Sequence, residues 1–424
     1  MRISTSQIFD SGARGIGRNQ VDLFKLQNQL STGRKVLTPE DDPIASAQAL
    51  VLTQSKSVSA QFLKNQSDAQ GKLGLVEAKV ASVGDLLQSV RERLVQAGST
   101  TLTNSDRSYI KEELEARFSE LMGIANAQDG EGNYMFSGYQ GAVRPFSAIA
   151  TGASYQGDDG QRFLQVAASR QMATNVTGND LFESIRNGNG SFVTSAVTTG
   201  TGAPVNTGSG VIDQGSVTDP ALISTAMATY PGGVQIQFSV VGGVTSYQLF
   251  DNPAGTTAYT APQTFTPGQS IKLERTTAPA SDFGASVVIE GSPANGDTFT
   301  IKPSTNQSMF ASLRNAINTL TTGIGGSYTS TEYSNRLAES LGDIDQALEN
   351  VNKIRSTVGS NLKELDSLTN ADEDLQLQYS SSISSLQDLD YAQAITEMSK
   401  KQLQLEAAQL SFKQVSQLSL FNIL

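Results

Sequence analysis

Any chemistry in this 424-residue chain has to come from carboxylates, hydroxyls, amides and ammonium groups, because it has no histidine and no cysteine. The missing histidines remove the commonest general base and the commonest zinc ligand. The missing cysteines remove thiolate nucleophiles, thiolate metal sites and disulfides. What remains is sparse. Asp158-Asp159 sets two carboxylates side by side, but neighbours on a turn flanked by Gly157 and Gly160 point apart, which suits a solvated turn better than an acid/base pair. Asn370-Ala-Asp372-Glu-Asp374 opens like a calcium loop. Leu375 then stands where such a loop needs glycine, and Ser381 where it needs a bidentate glutamate. Gly200-Thr-Gly202 and Gly208-Ser-Gly210 have Val205 and Asp213 where the dinucleotide fingerprint needs its third glycine. No catalytic residue, cofactor or metal site is expected, and the chain is not expected to be an enzyme.

Charge and hydropathy narrow the classes further. With 30 Lys+Arg against 41 Asp+Glu the formal charge is −11. Phosphate backbones demand clustered cations, so no nucleic-acid partner is expected. Mean hydropathy is −0.24, and no apolar run approaches the ~18 residues of a membrane span, so no membrane insertion is expected. The opening Met-Arg-Ile-Ser-Thr-Ser-Gln-Ile-Phe-Asp lacks the apolar core of a cleaved signal peptide. Export, where it occurs, is expected to proceed without cleavage.

Two kinds of segment carry these residues. Nine of the twelve prolines lie between Gly188 and Pro303, and Asp213, Asp219 and Asp251 are the charged residues between Gly188 and Ile271. Proline and glycine at this density break helices, so the stretch reads as an all-β insert. Gln235–Val241, Gly242-Gly243 and Val244–Phe250 predict one hairpin; Val287–Glu290 and Thr298–Lys302 around Asn295-Gly296 predict another. The flanks have helical period. Alternating three- and four-residue steps from Ala45 reach Ala69, Leu73, Val76, Val80, Val83, Leu87, Val90, Leu94 and Ala97, the pattern of a long helix coiled on a partner. Asp42 and Pro43 mark its start. A second helix is expected over about 105–127, short strands and turns over 134–182, a short helix over 309–320, and the three-four spacing again from Leu337 to Leu365.

The predicted fold is α+β. Long antiparallel coiled-coil arms from both termini enclose a mixed strand/turn segment, with an inserted all-β domain at the tip. The expected division is 1–40 plus 370–424 as a terminal coiled-coil region, 41–187 plus 304–369 as a helical-bundle core, and 188–303 as the insert. The terminal seams are thin: Ile16, Leu23, Leu26 and Leu30 at one end, Ile395, Met398, Leu405 and Phe412 at the other, diluted by Asn19, Gln402 and Gln409. Helices so poor in apolar residues are marginal alone, so these eight are the expected interface for assembly with other subunits.

Sequence motifs then carry a resemblance. Ser89–Thr100 with Asn104-Ser-Asp-Arg-Ser, Leu30-Ser-Thr-Gly-Arg-Lys-Val36 and Asp41-Asp-Pro43 resemble bacterial flagellins. Met1–Thr5, Thr38-Pro-Glu-Asp-Asp-Pro43, Asn133-Tyr-Met-Phe-Ser-Gly-Tyr139, Pro145-Phe146, Asp388–Thr396 and Gln417–Leu424 resemble the hook-associated branch of that superfamily. The resemblance covers roughly 1–182 and 304–424. It implies a structural adaptor at the hook–filament junction, extracellular, exported by the flagellar type III apparatus without a cleaved signal. It further implies self-assembly into a ring between the first hook-associated protein and flagellin, and a cytoplasmic export chaperone. The alternatives are a divergent flagellin that forms the filament itself, or a secreted coiled-coil adhesin.

Overall fold

The computed structural model describes residues 5–197, 206–252, 255–324, 326 and 328–421. The Gly200-Thr-Gly202 motif, Met1–Ser4 and Asn422–Leu424 lie outside the described residues. The helices are α1 (Thr5–Thr32), α2 (Pro43–Ala97), α3 (Asn104–Ala125), α4 (Pro220–Thr229), α5 (Met309–Ile324), α6 (Ser330–Gln387) and α7 (Tyr391–Phe421). Strands β1 (Phe146–Ile149), β2 (Gly152–Tyr155), β3 (Phe163–Ala167) and β4 (Arg170–Ala173) form two hairpins. The others are β5 (Ile185–Arg186), β6 (Phe192–Ala196), β7 (Val211–Ile212), β8 (Ser216–Val217), β9 (Val234–Val241), β10 (Val244–Asp251), β11 (Gln263–Thr264), β12 (Ser270–Arg275), β13 (Ser281–Glu290), β14 (Thr298–Pro303) and β15 (Asn306–Gln307).

Side-chain caps explain most helix starts. The Asp42 carboxylate accepts the backbone N–H groups of Ile44 and Ala45 at 3.1 and 2.9 Å, with Pro43 at the first helical position. Thr103 and Asp106 cap α3 reciprocally. Asp390 caps α7 through Ala392 and Gln393. Contrary to the reading of Asn370-Ala371 as a boundary, α6 runs through it without a break.

The chain packs as two compact units: Met1–Ser67, Gln165–Arg170 and Asp366–Leu424 form the first, Asp68–Leu164 and Gln171–Leu365 the second. The first unit thus reaches past the expected boundary at 40, and the insert shares the second unit with the helical core.

In the second unit the heptads meet the expectation: Ala69, Leu73, Val76, Val80, Val83, Leu87, Val90, Leu94 and Ala97 of α2 are buried, as are Leu337, Ile344, Val351, Val358 and Leu365 of α6. At Gly84 the two helices approach closely, since a Cβ there would lie 3.4 Å from a Val351 methyl. The polar interruption Arg355 directs two N–H groups at Glu77 Oε1, at 3.0 and 2.9 Å. Beside the bundle lies a phenylalanine cluster in which Phe182 touches Phe136, Phe146 and Phe310 at centroid distances of 5.4, 5.2 and 5.6 Å.

Among the described residues the insert has two antiparallel sheets, ordered β11-β10-β9-β14-β6 and β12-β13-β7, with β8 also on β13. The first expected hairpin is β9–β10, whose Gly242 and Gly243 both have positive φ (60° and 81°). The second does not form: β13 pairs with β12, β7 and β8, and β14 with β9 and β6. The Asn295-Gly296 turn carries the chain from one sheet to the other, bonding back to Phe238 and Val240. The insert is also not all-β. Asp219 caps α4 through the N–H groups of Ala221 and Leu222, and Pro220 takes the first helical position, a start signal outweighed in the sequence by the surrounding prolines. The insert leaves and rejoins the helical part through paired strands, Ile185 opposite Gln307 and Arg186 opposite Asn306. It is docked on α6, where Asn335 bonds Ile212 N and Gly210 O.

The first unit buries far less. Its buried apolar residues, among those described, are Val36, Ala45, Ala49, Val166 and Ala394. Limited proteolysis is therefore expected to cut first within about 40 residues of either end and to leave a resistant fragment centred on 68–365, because cleavage tracks local opening. Mass spectrometry of the fragments reads this directly; termini that survive as long as the second unit contradict it.

Candidate assembly surface

The α1–α2 connection is built from the residues that open the flagellin-like motif. Gly33 turns with φ 70°, and a Cβ there would lie 2.7 Å from the Tyr391 hydroxyl oxygen. Lys35 N donates to Gln387 O and Leu389 N to Gly33 O, which ties this turn to the α6–α7 turn. Asp41 accepts from Leu37 N and Thr38 N at 2.9 and 3.0 Å and pairs with Lys25 at 2.6 Å. Lys25 foremost, then the two N–H groups, hold its pKa down to about 2. A depressed carboxylate stabilises above its unfolded pKa and is lost as pH falls, so this turn loosens between roughly pH 4 and 2.

Helices α1 and α7 pair antiparallel. Phe9 and Phe412 meet edge-on at 5.2 Å, a Cβ on Gly12 would lie 2.9 Å from Phe412, and Asp22 pairs with Lys401 at 2.7 Å. Ile16, Leu23, Leu26 and Leu30 fall on the partly buried α1 row that starts Phe9, Gly12. Met398, Leu405 and Phe412 fall on the partly buried α7 row of Ala394, Met398, Lys401, Leu405, Ala408 and Phe412. The eighth residue, Ile395, is off this row and 50% exposed. The seam expected to meet neighbouring subunits is thus partly covered within the chain.

The bare apolar residues lie elsewhere. At about 100° per residue, Val21 and Phe24 on α1 and Leu403 and Leu410 on α7 point away from the shared seam; they are 64–68% exposed. On the first unit's part of α2, Ile44, Leu50 and Val51 are 65–73% exposed and Val58 is exposed too, as is Leu377 on α6. Ile44, Val51 and Val58 are spaced by seven, and so are Leu403 and Leu410. A second heptad register was therefore present in the sequence, masked by the first.

Polar clusters in the second unit serve structure. Asp158 accepts from Tyr139 N and Gly160 N at 2.8 and 2.7 Å, which lowers its pKa, Tyr139 N contributing most. Arg162 Nη2 donates to Gly138 O at 2.8 Å. The Asn133–Tyr139 motif is therefore a loop lock, and the Asp158 turn is more than solvated surface. Gly208 sits in a turn whose N–H donates to Asp297. Glu183 ends the π-helix Asn179–Glu183 with Oε1 buried and unpartnered, and burial pushes its pKa up to about 7. A raised carboxylate favours the fold below its unfolded pKa and loses that contribution as pH rises through 7. Glu183→Gln is expected to raise stability at pH 8 by about 1 kcal/mol, screening at a partly exposed site reducing the full shift, with no gain at pH 4. Melting curves at the two pH values check the sign. Among the described residues no helix is long and apolar enough to cross a membrane, and no three acidic side chains are grouped to hold a metal ion.

Long paired helices from both ends of the chain, with a β-containing stretch between them in sequence and apolar side chains turned outward, are the features of a subunit of the flagellin type. The chain belongs to that family: the Bacterial flagellin N-terminal helical region matches residues 3–141 and the Bacterial flagellin C-terminal helical region matches 341–424, together more than half of it. Within the family it is similar to flagellar hook-associated protein 3 of Salmonella typhimurium, 37% identical over 185 residues, and of Escherichia coli, 35% identical over 185 residues. Each alignment covers 44% of this chain and 58% of the relative, so the chain spans little more than half the length of these curated proteins. Among solved structures it is similar to the flagellar junction protein FlgL from Legionella pneumophila (28% identity, TM-score 0.68, 80% of this chain and 100% of that one). FlgL from Xanthomonas campestris gives 26% identity and a TM-score of 0.64, over 78% of this chain and 99% of that one. This is a family of structural flagellar proteins, not an enzyme family.

Proposed function

We propose that the chain is a structural adaptor of the bacterial flagellum, a junction subunit that joins the hook to the flagellin filament. The observation that carries the reading is the first unit's inverted burial. Ser59 and Gln66 lie inside it while Ile44, Val51, Phe24, Leu403 and Leu410 face out, a distribution that favours association with further subunits. The similarity to hook-associated protein 3 and to the junction protein FlgL supports this location. On this reading the terminal helices, the α1–α7 seam included, assemble into a ring with the first hook-associated protein on the cell side and flagellin beyond it. The subunit is exported without a cleaved signal, held beforehand by a cytoplasmic chaperone, and performs no catalysis. A deletion strain tests it. Bare hooks with flagellin shed into the medium are expected; filaments of normal length on the deletion strain would refute the junction role.

A further inference from the structure

We propose that a buried polar layer between α2 and α6 sets the register and rotation of these helices in the first unit, and so decides which faces point outward. It rests on the reading above that the outward apolar faces meet other subunits. Gln66 is fully buried and Ser59 nearly so. Gln66 Nε2 donates to Asp372 Oδ2 at 2.7 Å and to Val166 O at 2.8 Å, and its Oε1 accepts from Thr369 at 3.2 Å. Ser59 Oγ donates to Asp372 Oδ1 at 3.2 Å. One carboxylate on α6 thus holds two side chains that are seven residues apart on α2, and a register shifted by a turn would part it from at least one of these donors.

Hydrophobicity alone pulls the other way. Turning α2 by about 100°, one residue's worth, brings Ile44, Val51, Val58 and Asn65 toward the seam in place of Ala45, Leu52, Ser59 and Gln66. That rearrangement buries apolar surface but parts the partly buried Asp372 carboxylate from both of its donors and the Gln66 amide from the groups it now bonds, and lost hydrogen bonds in a desolvated seam are costly. Single polar positions fix register in coiled coils by this means, at some expense in stability. Residues 45, 49, 59 and 66 therefore trade core strength for a fixed orientation, and the outer row Ile44, Val51 and Val58 stays available.

The cysteine-free chain makes the test direct. Spin labels on Gln48→Cys and Glu373→Cys, both exposed positions, report the α2–α6 distance in the full-length protein. The parent should give one narrow distribution. Ser59→Ala/Gln66→Leu/Asp372→Leu should keep its helical circular dichroism but broaden the distribution or add a population displaced by about 10 Å, the rise of one heptad. Gln66→Met, nearly the same shape without the amide, should broaden it partly and serves if the triple variant does not fold. Asp372→Asn, which can still join Gln66 and Ser59, should keep the narrow peak. An unchanged narrow peak in both apolar variants overturns the proposal. A shifted register in cells that still assemble filaments supports the layer's role and instead refutes the outward faces as the assembly surface.

Discussion

Leu403→Glu is expected to leave the purified chain folded while abolishing its incorporation, whereas Leu405→Glu, two residues on, should damage the monomer itself. Leu403 is 67% exposed on the side of α7 away from α1. A carboxylate there stays in water, and the change in melting should fall within the ~0.5 kcal/mol usual for surface substitutions. Where that face packs against a neighbouring subunit, the same charge is buried without a partner, at several kcal/mol per copy. Leu405 lies on the row that carries Phe412 against Phe9. A charge there weakens the α1–α7 pairing, so both ends should become more sensitive to protease and lose helical signal. The two variants are compared by thermal melting, limited proteolysis and the amount of flagellin shed by cells that express them. Normal filaments with Leu403→Glu would remove the outer face of α7 from the assembly surface. Equal behaviour of the two variants would remove the distinction between seam and outer face.

Phe182→Ala should be among the most damaging single changes to stability, at about 3–5 kcal/mol, because it removes a buried ring and leaves a cavity among side chains that cannot close over it. Phe182 is fully buried and contacts three other phenylalanines, one of them on α5 and another on β1. The denaturant midpoint of the second unit should fall with its slope unchanged, the mark of lost stability without a change in exposed surface. Phe163→Ala is the control, since Phe163 is 58% exposed and should shift the midpoint little. A fall as small for Phe182 as for Phe163 would mean that the ring cluster does not hold this unit together.

Long-period features were the legible part. The α2 heptad from Ala69 to Ala97, the Asp42–Pro43 start and the Gly242-Gly243 hairpin follow from spacing and turn chemistry, because each depends on neighbours in sequence. Sheet partners do not. Val287–Glu290 and Thr298–Lys302 look like a hairpin from nearby residues, yet the two strands belong to different sheets, and the partners that decide this, such as β7 and β6, lie far away in sequence. The α4 start was written in Asp219-Pro220 and hidden by the prolines around it. Helical seams mislead differently. Periodicity locates an apolar row and cannot say whose helix covers it. Spacing placed seven of the eight terminal residues on the paired rows and misplaced Ile395, whereas the exposed row that begins at Ile44 was missed because a stronger row shares its helix.

The pairing of β5 with β15 has a consequence for how the chain can change over generations. Ile185 and Gln307 sit on adjacent strands, so the helices meet everything between them as a closed loop. The entropic penalty of closing a loop grows only with the logarithm of its length, about 0.6 kcal/mol for each doubling. Large insertions and deletions here are therefore nearly neutral for the helices, and Asn335, being polar, can be wetted by solvent where a shorter insert no longer covers it. The segment is free to vary in length and surface among lineages, while the helical rows stay bound to the geometry of their neighbours.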